Sequence, residues 1–205
     1  MAKLMFQGHG SFRIVTKAGT VVYVDPCTGD GYGLPADMIL VTHEHGDHNQ
    51  VQLCRQKEDC IVLRASDFLK GDGMKHTYEK NNDVFVTDAV ASNKNHDPSK
   101  CVGFIIEIKT EGITIYAAGD TSKTDYMEEC LADMDIDWAL LPIDGVYNMG
   151  IDEAVECANI IGAKYTIPIH MVPGKPFSSK MAADFKSKLP SAVICMPDDE
   201  IALGD

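Results

Sequence analysis

The sequence predicts an α/β (α+β) protein built as a four-layer αββα sandwich, helix on sheet on sheet on helix. Three observations lead there. Segments rich in β-branched and aromatic residues dominate the chain up to residue 120, and from about residue 124 helix and strand patterns alternate. Several of these strands also end in a histidine or an aspartate, as if they delivered side chains to one place. With 205 residues, 45% of them hydrophobic, the chain can fill one sizeable core. No linker or internal repeat divides it, so a single domain over residues 1–205 is expected.

The opening segments "KLMFQGHG" and "SFRIVTKAGTVVYVDP" read as strands, the second folded on itself at Ala18-Gly19 and stopped by Asp25-Pro26. "ADMILVT" follows as a buried strand, then "NQVQLCRQKE" as a short helix with Asn49 as its cap. "CIVLR", "MKHTYE", "DVFVTDAVAS", "KCVGFIIEIKT" and "GITIYAAGD" continue the β-rich part. Beyond it, "TDYMEECLADM" is expected to be helical and "DWALLPI" a strand. "IDEAVECANIIGAK" carries apolar residues at 151, 154, 155, 158 and 161, the stripe of an amphipathic helix. "YTIPIH" is a strand, "SSKMAADFKSKLP" a serine-capped helix, and "AVICMP" a closing strand. The Gly-rich "TGDGYGLP" around Tyr32 reads as a surface loop.

Composition narrows the partners. A formal net charge of −13 repels phosphate backbones, which argues against nucleic acid. The opening "MAKLMFQGHG" lacks the apolar stretch of an export signal and no run is long enough to span a bilayer, so a cytoplasmic protein without a membrane partner is expected. Seven scattered cysteines with no C-x-x-C pair fit free thiols in a reducing compartment. A homo-oligomer is left open.

The strand "MILVT" runs directly into His43, His45, Asp47 and His48. Further along, His96 follows "DAVASNKN", Asp120 ends "ITIYAAG" and His170 ends "YTIPI". A lone histidine such as His76 on a strand face reads as structural. His-x-His alone says little, because alternate strand residues share a face anyway. His-x-His-x-Asp-His is different: packed together, such groups repel and desolvate one another unless a cation neutralises them. Imidazoles and carboxylates without a cysteine suit Zn²⁺, Mn²⁺ or Fe²⁺.

These motifs resemble the metallo-β-lactamase superfamily of metal-dependent hydrolases. "THEHGDH" is similar to its signature loop, "AGDT" to the strand carrying its bridging aspartate, and "IPIH" to its last ligand. The stretches "GHGSFRI", "VVYVDP" and "LLPIDGVYNMGIDEAVECA" resemble its small stand-alone bacterial branch, which includes the ascorbate-6-phosphate lactonases. The resemblance implies a sandwich of the metallo-β-lactamase type and a centre of two divalent ions, Zn²⁺ before Mn²⁺ or Fe²⁺. It implies one ion on His43, His45 and His96, a second on Asp47, His48 and His170, and Asp120 reaching both. Asp25 matches an aspartate that orients a ligand histidine. His9 lies where the branch has a Gly-His-Ser-like stretch, but here Gly10 precedes Ser11.

The implied reaction is hydrolysis of a small ester, lactone or phosphoester by a hydroxide bridging the two ions, with Asp47 as the catalytic carboxylate guiding the proton. Lys94, Lys123 and Lys175 lie close in sequence to ligand positions and are expected to favour an anionic substrate. The diiron branch has a glutamate where His45 stands, which disfavours oxygen chemistry. The thioester-hydrolysing glyoxalase II branch adds a helical tail for which this chain is too short. The alternative from another class is a non-catalytic sensing or scaffold module on the same fold. Loss of ligands would mark it, and all seven ligand positions are filled here.

Overall fold

The structure, a computed structural model, describes residues 1–204. Its strands pair into two six-stranded sheets. In the first, β1 (Lys3–Gly8), β2 (Ser11–Val15), β3 (Val21–Val24), β4 (Ala36–Val41) and β5 (Gln56–Arg64) lie side by side in chain order. In the second, the same is true of β6 (Thr77–Lys80), β7 (Val84–Val90), β8 (Val102–Ile108), β9 (Ile113–Ala117), β10 (Trp138–Pro142) and β11 (Tyr165–Ile169). A final strand, β12 (Glu200–Ala202), pairs antiparallel outside β1. Both sheets start as antiparallel meanders and end in parallel strands: β3, β4 and β5 in one, β9, β10 and β11 in the other.

The inner faces of the sheets pack on each other through Phe6, Phe12, Ile14 and Leu40 from one side and Val86, Phe104, Ile106 and Leu140 from the other. Outside the second sheet, Ile105, Tyr116 and Leu141 meet α2 (Asp125–Glu129), α3 (Ile151–Ile161) and α4 (Ser179–Lys188), which present Met127, Cys157 and Phe185. The helices α3 and α4 are those the apolar spacing and serine cap predict: Ala154, Ala158 and Ile161 are buried, and Ser178 Oγ accepts from the Met181 N–H. The layers therefore follow the expected order. The outer face of the first sheet is thinly covered, by Cys54, Val51 and Tyr32. The Tyr32 hydroxyl bonds Ser11 Oγ at 2.8 Å, so the Gly-rich loop is pinned to the sheet.

Two expected elements differ. The segment expected as a helix after Asn49 holds only a single 3₁₀ turn, Val51–Leu53, and its second half begins β5. All six residues of β4 are buried, so its free backbone edge needs a partner, and β5 supplies it. The charged Lys57, Glu58 and Asp59 then sit on an exposed sheet edge, where charge discourages pairing with another chain. The closing strand is displaced from "AVICMP" to Glu200–Ala202. Pro197 has no N–H to donate, and Asp198 turns the chain at φ +72° before it meets β1. A short helix unforeseen in the sequence, α1 (Ala65–Phe68), follows β5 and buries Phe68 in the core.

The parallel strands matter most for the site, because their carboxyl ends lie together at one edge of each sheet. In open α/β sheets that edge is where functional groups collect. One glycine guards it. Gly119, φ +63°, precedes Asp120, and a Cβ there would lie 2.9 Å from Thr42 Cγ2. Gly112 has nearly the same φ, +64°, with nothing within 4 Å. Replacing Gly112 by alanine should cost about 1–2 kcal/mol for the left-handed backbone alone. Gly119→Ala should cost roughly 1–3 kcal/mol more from overpacking. Urea unfolding of the two variants checks the difference; equal losses would mean that close approach at Gly119 is unimportant.

Candidate metal centre

Five of the parallel strands, β3, β4, β9, β10 and β11, hand over polar side chains. Asp25 follows β3, Thr42 and His43 follow β4, Asp120 follows β9, Asp144 follows β10 and His170 follows β11. All six are buried. Asp25 and His170 both have φ +44°, and His9 between β1 and β2 has φ +58°, a left-handed backbone that non-glycine residues adopt at a cost. Backbone bonds hold these turns: Asp25 N–H to Leu40 O at 2.9 Å, His170 N–H to His9 O at 2.8 Å, and His9 N–H to Pro176 O at 2.7 Å. The strain swings side chains out of the sheets' alternation and toward one point.

There the structure brings together His43, His45 and His96 as one cluster, and Asp47, His48 and His170, with His9, as another. Candidate ligand atoms within each cluster lie within 4.8 Å of one another. Asp120 sits between them, its carboxylate 3.4 Å from His48 Nε2, 3.3 Å from His96 Nε2 and 3.4 Å from His170 Nε2. All seven sequence-predicted positions therefore converge. His45 and Asp47, on the loop after His43, are exposed; the other five are buried.

The outer nitrogens of the buried rings are all engaged. His48 Nδ1 lies 2.9 Å from Asp25 Oδ2, and His170 Nδ1 lies 2.8 Å from Asp144 Oδ2. His96 Nδ1 lies 2.9 Å from Asn93 Oδ1, and His43 Nδ1 lies 3.0 Å from Thr42 Oγ1, which itself donates to Asp25. A carboxylate or amide oxygen can only accept, so each such ring carries a proton on Nδ1 and turns Nε2 inward. His48 Nε2, His96 Nε2 and His170 Nδ1 are buried without a hydrogen-bond partner, the last facing Asp144 as a close contact only.

A divalent cation fits this donor set. Two nitrogens on one tetrahedral Zn²⁺, at about 2.0–2.1 Å each, stand about 3.3 Å apart. His43 Nε2 and His45 Nδ1 are 3.0 Å apart, and the three imidazole contacts to Asp120 are 3.3–3.4 Å. The Asp120 separations exceed a hydrogen bond and suit ligands sharing an ion.

The electrostatics of the protein alone point the same way. Burial pulls the His43 imidazolium down to about 3, with His48 adding to the effect and Asp120 opposing it. Burial likewise lowers His96. Burial also disfavours a charged His48, but Asp25 and Asp120 beside it outweigh this and push it up to about 9. Asp120 is held below the usual carboxylate range against the opposing effect of burial, by His48, His170 and His43. The buried carboxylates thus demand positive charge, which a proton on His48 supplies in the metal-free protein.

Three residues of this arrangement escaped the sequence. Asp144 accepts backbone N–H groups from Val146 and Tyr147, both at 2.6 Å, besides facing His170. Asn93 and Asn148 join their side chains at 3.1 Å. The strand "DWALLPI" running into Asp144 repeats the strand-to-aspartate pattern of Asp25 and Asp120, and that signal could have found Asp144. His9 Nε2 lies 3.2 Å from Asp47 Oδ2, which places it in contact with a predicted ligand. The three lysines do not form one rim. Lys123 is held between Glu128 and Glu156, both at 2.7 Å, while Lys94 and Lys175 border different cavities. A cavity of about 500 Å³ opens beside His43, His45 and His96, lined also by Leu69, Ser66 and Lys100.

Comparison with known proteins agrees with this geometry. Residues 3–170 match the family described as the beta-lactamase superfamily domain. The chain belongs to the metallo-β-lactamase superfamily. Within that superfamily it is 30% identical to a metal-dependent hydrolase of Geobacillus thermodenitrificans, over 93% of this chain and 94% of the relative. A solved structure from Parabacteroides distasonis superposes with a TM-score of 0.76 at 27% identity, covering 94% of this chain and 91% of that one. A metallo hydrolase from the archaeon Ignicoccus hospitalis shares the superfamily fold at 19% identity, TM-score 0.76, with 98% and 97% coverage.

Asp25 shows how strongly the centre depends on its supports. Its 1% exposed side chain receives Thr42 N–H at 2.7 Å, the Thr42 hydroxyl at 2.7 Å and His48 Nδ1–H at 2.9 Å. Asp25→Ala strands all three donors and should lower the unfolding free energy by about 3–5 kcal/mol. Urea denaturation of metal-free protein measures it, and a loss below about 1 kcal/mol, the scale of one ordinary hydrogen bond, would contradict the account.

Proposed function

We propose that this protein is a metal-dependent hydrolase that cleaves a small ester, lactone or phosphoester at a centre of two divalent ions, Zn²⁺ before Mn²⁺ or Fe²⁺. The observation that supports this most is the inward-facing Nε2 set: buried imidazoles whose outer nitrogens are already bonded, gathered around one carboxylate. In this reading His43, His45 and His96 hold one ion, Asp47, His48 and His170 hold the other, and Asp120 reaches both. When bound, the ion pair supplies a Lewis acid that activates water at neutral pH and neutralises charge developing on the substrate.

The chain's own residues do the rest. Asp25, Thr42, Asn93 and Asp144 keep the rings in one orientation, so no reorganisation is needed when substrate arrives. In this reading Asp47, half-exposed and in contact through Oδ2 with His9 Nε2 at 3.2 Å, is the carboxylate that accepts the proton from the attacking water. The cavity beside His43 and His96 has the volume of a small-molecule site. Lys100 on that cavity and Lys175 on the one beside Asp47 provide the cationic contacts for an anionic substrate group, a role Lys123 cannot take while its glutamates hold it. All seven cysteines are free and no described helix is long and apolar enough to cross a membrane, which supports a single-domain protein working in the cytoplasm.

Mass spectrometry of protein purified without added metal should find close to two ions per chain. Hydrolysis of at least one member of a panel of lactones, phosphodiesters and thioesters should vanish on chelation and return with metal. Metal uptake without turnover on any of them would favour a sensing or scaffold role instead.

Asp120→Ala separates the two ion positions. The three imidazoles of His43, His45 and His96 remain a complete site, whereas Asp47, His48 and His170 lose the carboxylate that faces two of them. The variant should keep about one metal equivalent and lose most turnover, because the second ion and its clamp on the reacting oxygens are gone. Calorimetric titration of the metal-free variant tests this, and two tight equivalents with an unchanged rate would sink the bridging role.

A further inference from the structure

Behind the candidate ligands, five polar side chains form one connected chain of short contacts. His170 Nδ1 lies 2.8 Å from Asp144 Oδ2. Asn148 Nδ2 donates to the same Asp144 oxygen at 2.9 Å. Asn93 Nδ2 donates to Asn148 Oδ1 at 3.1 Å, and His96 Nδ1 lies 2.9 Å from Asn93 Oδ1. The chain begins at a ring of one cluster and ends at a ring of the other.

The direction of every bond follows from chemistry. Asp144 Oδ1 accepts the backbone N–H groups of Val146 and Tyr147, both at 2.6 Å, and Oδ2 faces the His170 ring, the surroundings of an acceptor carboxylate. Its oxygens only accept, so Asn148 must present its NH₂ to Asp144 and its oxygen to Asn93. The reverse orientation would set two acceptors 2.9 Å apart. Asn93 must then present its NH₂ to Asn148 and its oxygen to His96. The Asn95 backbone N–H also donates to Asn93 Oδ1, at 2.8 Å, in agreement with that orientation. His96 is left with its proton on Nδ1 and its Nε2 lone pair toward Asp120.

We propose that Asn148 is the positioning residue that joins the two halves of the centre. Through it one carboxylate, Asp144, sets the tautomer of His170 directly and of His96 through Asn93. The proposal rests on the reading of His96, Asp120 and His170 as ligands of two ions. It adds a residue that contacts neither ion and governs both. Asn148 is 8% exposed, and its only role need not be packing, since every polar atom of its amide has a charged or amide partner. Removing it takes away the Asn93 amide's acceptor and one of the donors to Asp144.

The test reads ring nitrogens and metal binding rather than turnover. In ¹⁵N spectra of metal-free wild-type protein at neutral pH, His96 should show a protonated Nδ1 and an unprotonated Nε2. In Asn148→Ala the His96 signals should move toward a tautomer mixture. Titration with Co²⁺, followed by its visible absorption, should show both equivalents weakened, each by roughly 10- to 100-fold. Asn93→Ala should disturb the His96 tautomer and weaken only one equivalent, leaving the His170 signals as in wild type. If Asn148→Ala does not fold, Asn93→Ala decides by itself: an unchanged His96 overturns the relay. So does an Asn148→Ala protein with wild-type His96 signals and only one weakened ion, which would reduce Asn148 to a support for Asp144. Failure of the metal reading shows separately, as wild-type protein that takes up no Co²⁺, and the ring-nitrogen spectra then still decide the relay.

Discussion

A carboxylate buried among imidazoles is the constraint around which this protein is arranged. Asp120 is 4% exposed, and the Nε2 atoms of His48, His96 and His170 face it at 3.3–3.4 Å, too far for good hydrogen bonds and too close for indifference. Asp25 and Asp144 are buried nearby, each tied to an outer ring nitrogen. Three buried carboxylates require compensating positive charge, and without it the fold would carry a large desolvation penalty. The protein meets part of that need with a proton on His48. The inward-facing lone pairs are suited to meet the rest with cations.

The scaffold makes that convergence rigid. The site lies at the carboxyl ends of parallel strands in two different sheets, and the sheets are locked together by an apolar core that includes Phe6, Phe12, Phe104 and Ile106. Left-handed backbone at His9, Asp25 and His170 stores strain where the chain must leave its strand and still aim inward. Cross-connections such as His170 N–H to His9 O make one strained turn support another. A site built this way holds its geometry before anything binds, which is the condition for electrostatic help in a reaction.

The same fold is shared with relatives at 19% identity, and the fold by itself does not choose a substrate. The groups at the rim are the ones a substrate would meet. The cavity beside His43 combines an apolar wall at Leu69 with Ser66 and Lys100, and Glu44 at its edge is neutralised by Arg64 at 2.7 Å. These groups sit on loops and on a sheet edge, where exchange of residues leaves the buried ligand framework intact.

Local spacing made much of the centre legible. His43, His45, Asp47 and His48 announce themselves because they follow one buried strand within six positions, and Asp120 and His170 because each ends an apolar strand. Amphipathic spacing also identified α3, and a serine cap identified α4. Where the outcome depended on a partner distant in the chain, sequence patterns were silent or misleading. The residues after Asn49 became sheet rather than helix because β4 needed an edge partner, and the last strand moved to residues 200–202 because there the chain runs in register beside β1. Asp144, Asn93 and Asn148 were invisible as a set, since Asn93 and Asn148 stand 55 positions apart and no periodicity links them. The sequence by itself determined which residues could serve a metal, because ligand chemistry belongs to side chains. Tertiary structure alone decided which ring nitrogen faces inward, because a tautomer is chosen by the hydrogen-bond partner that folding brings to the other side of the ring.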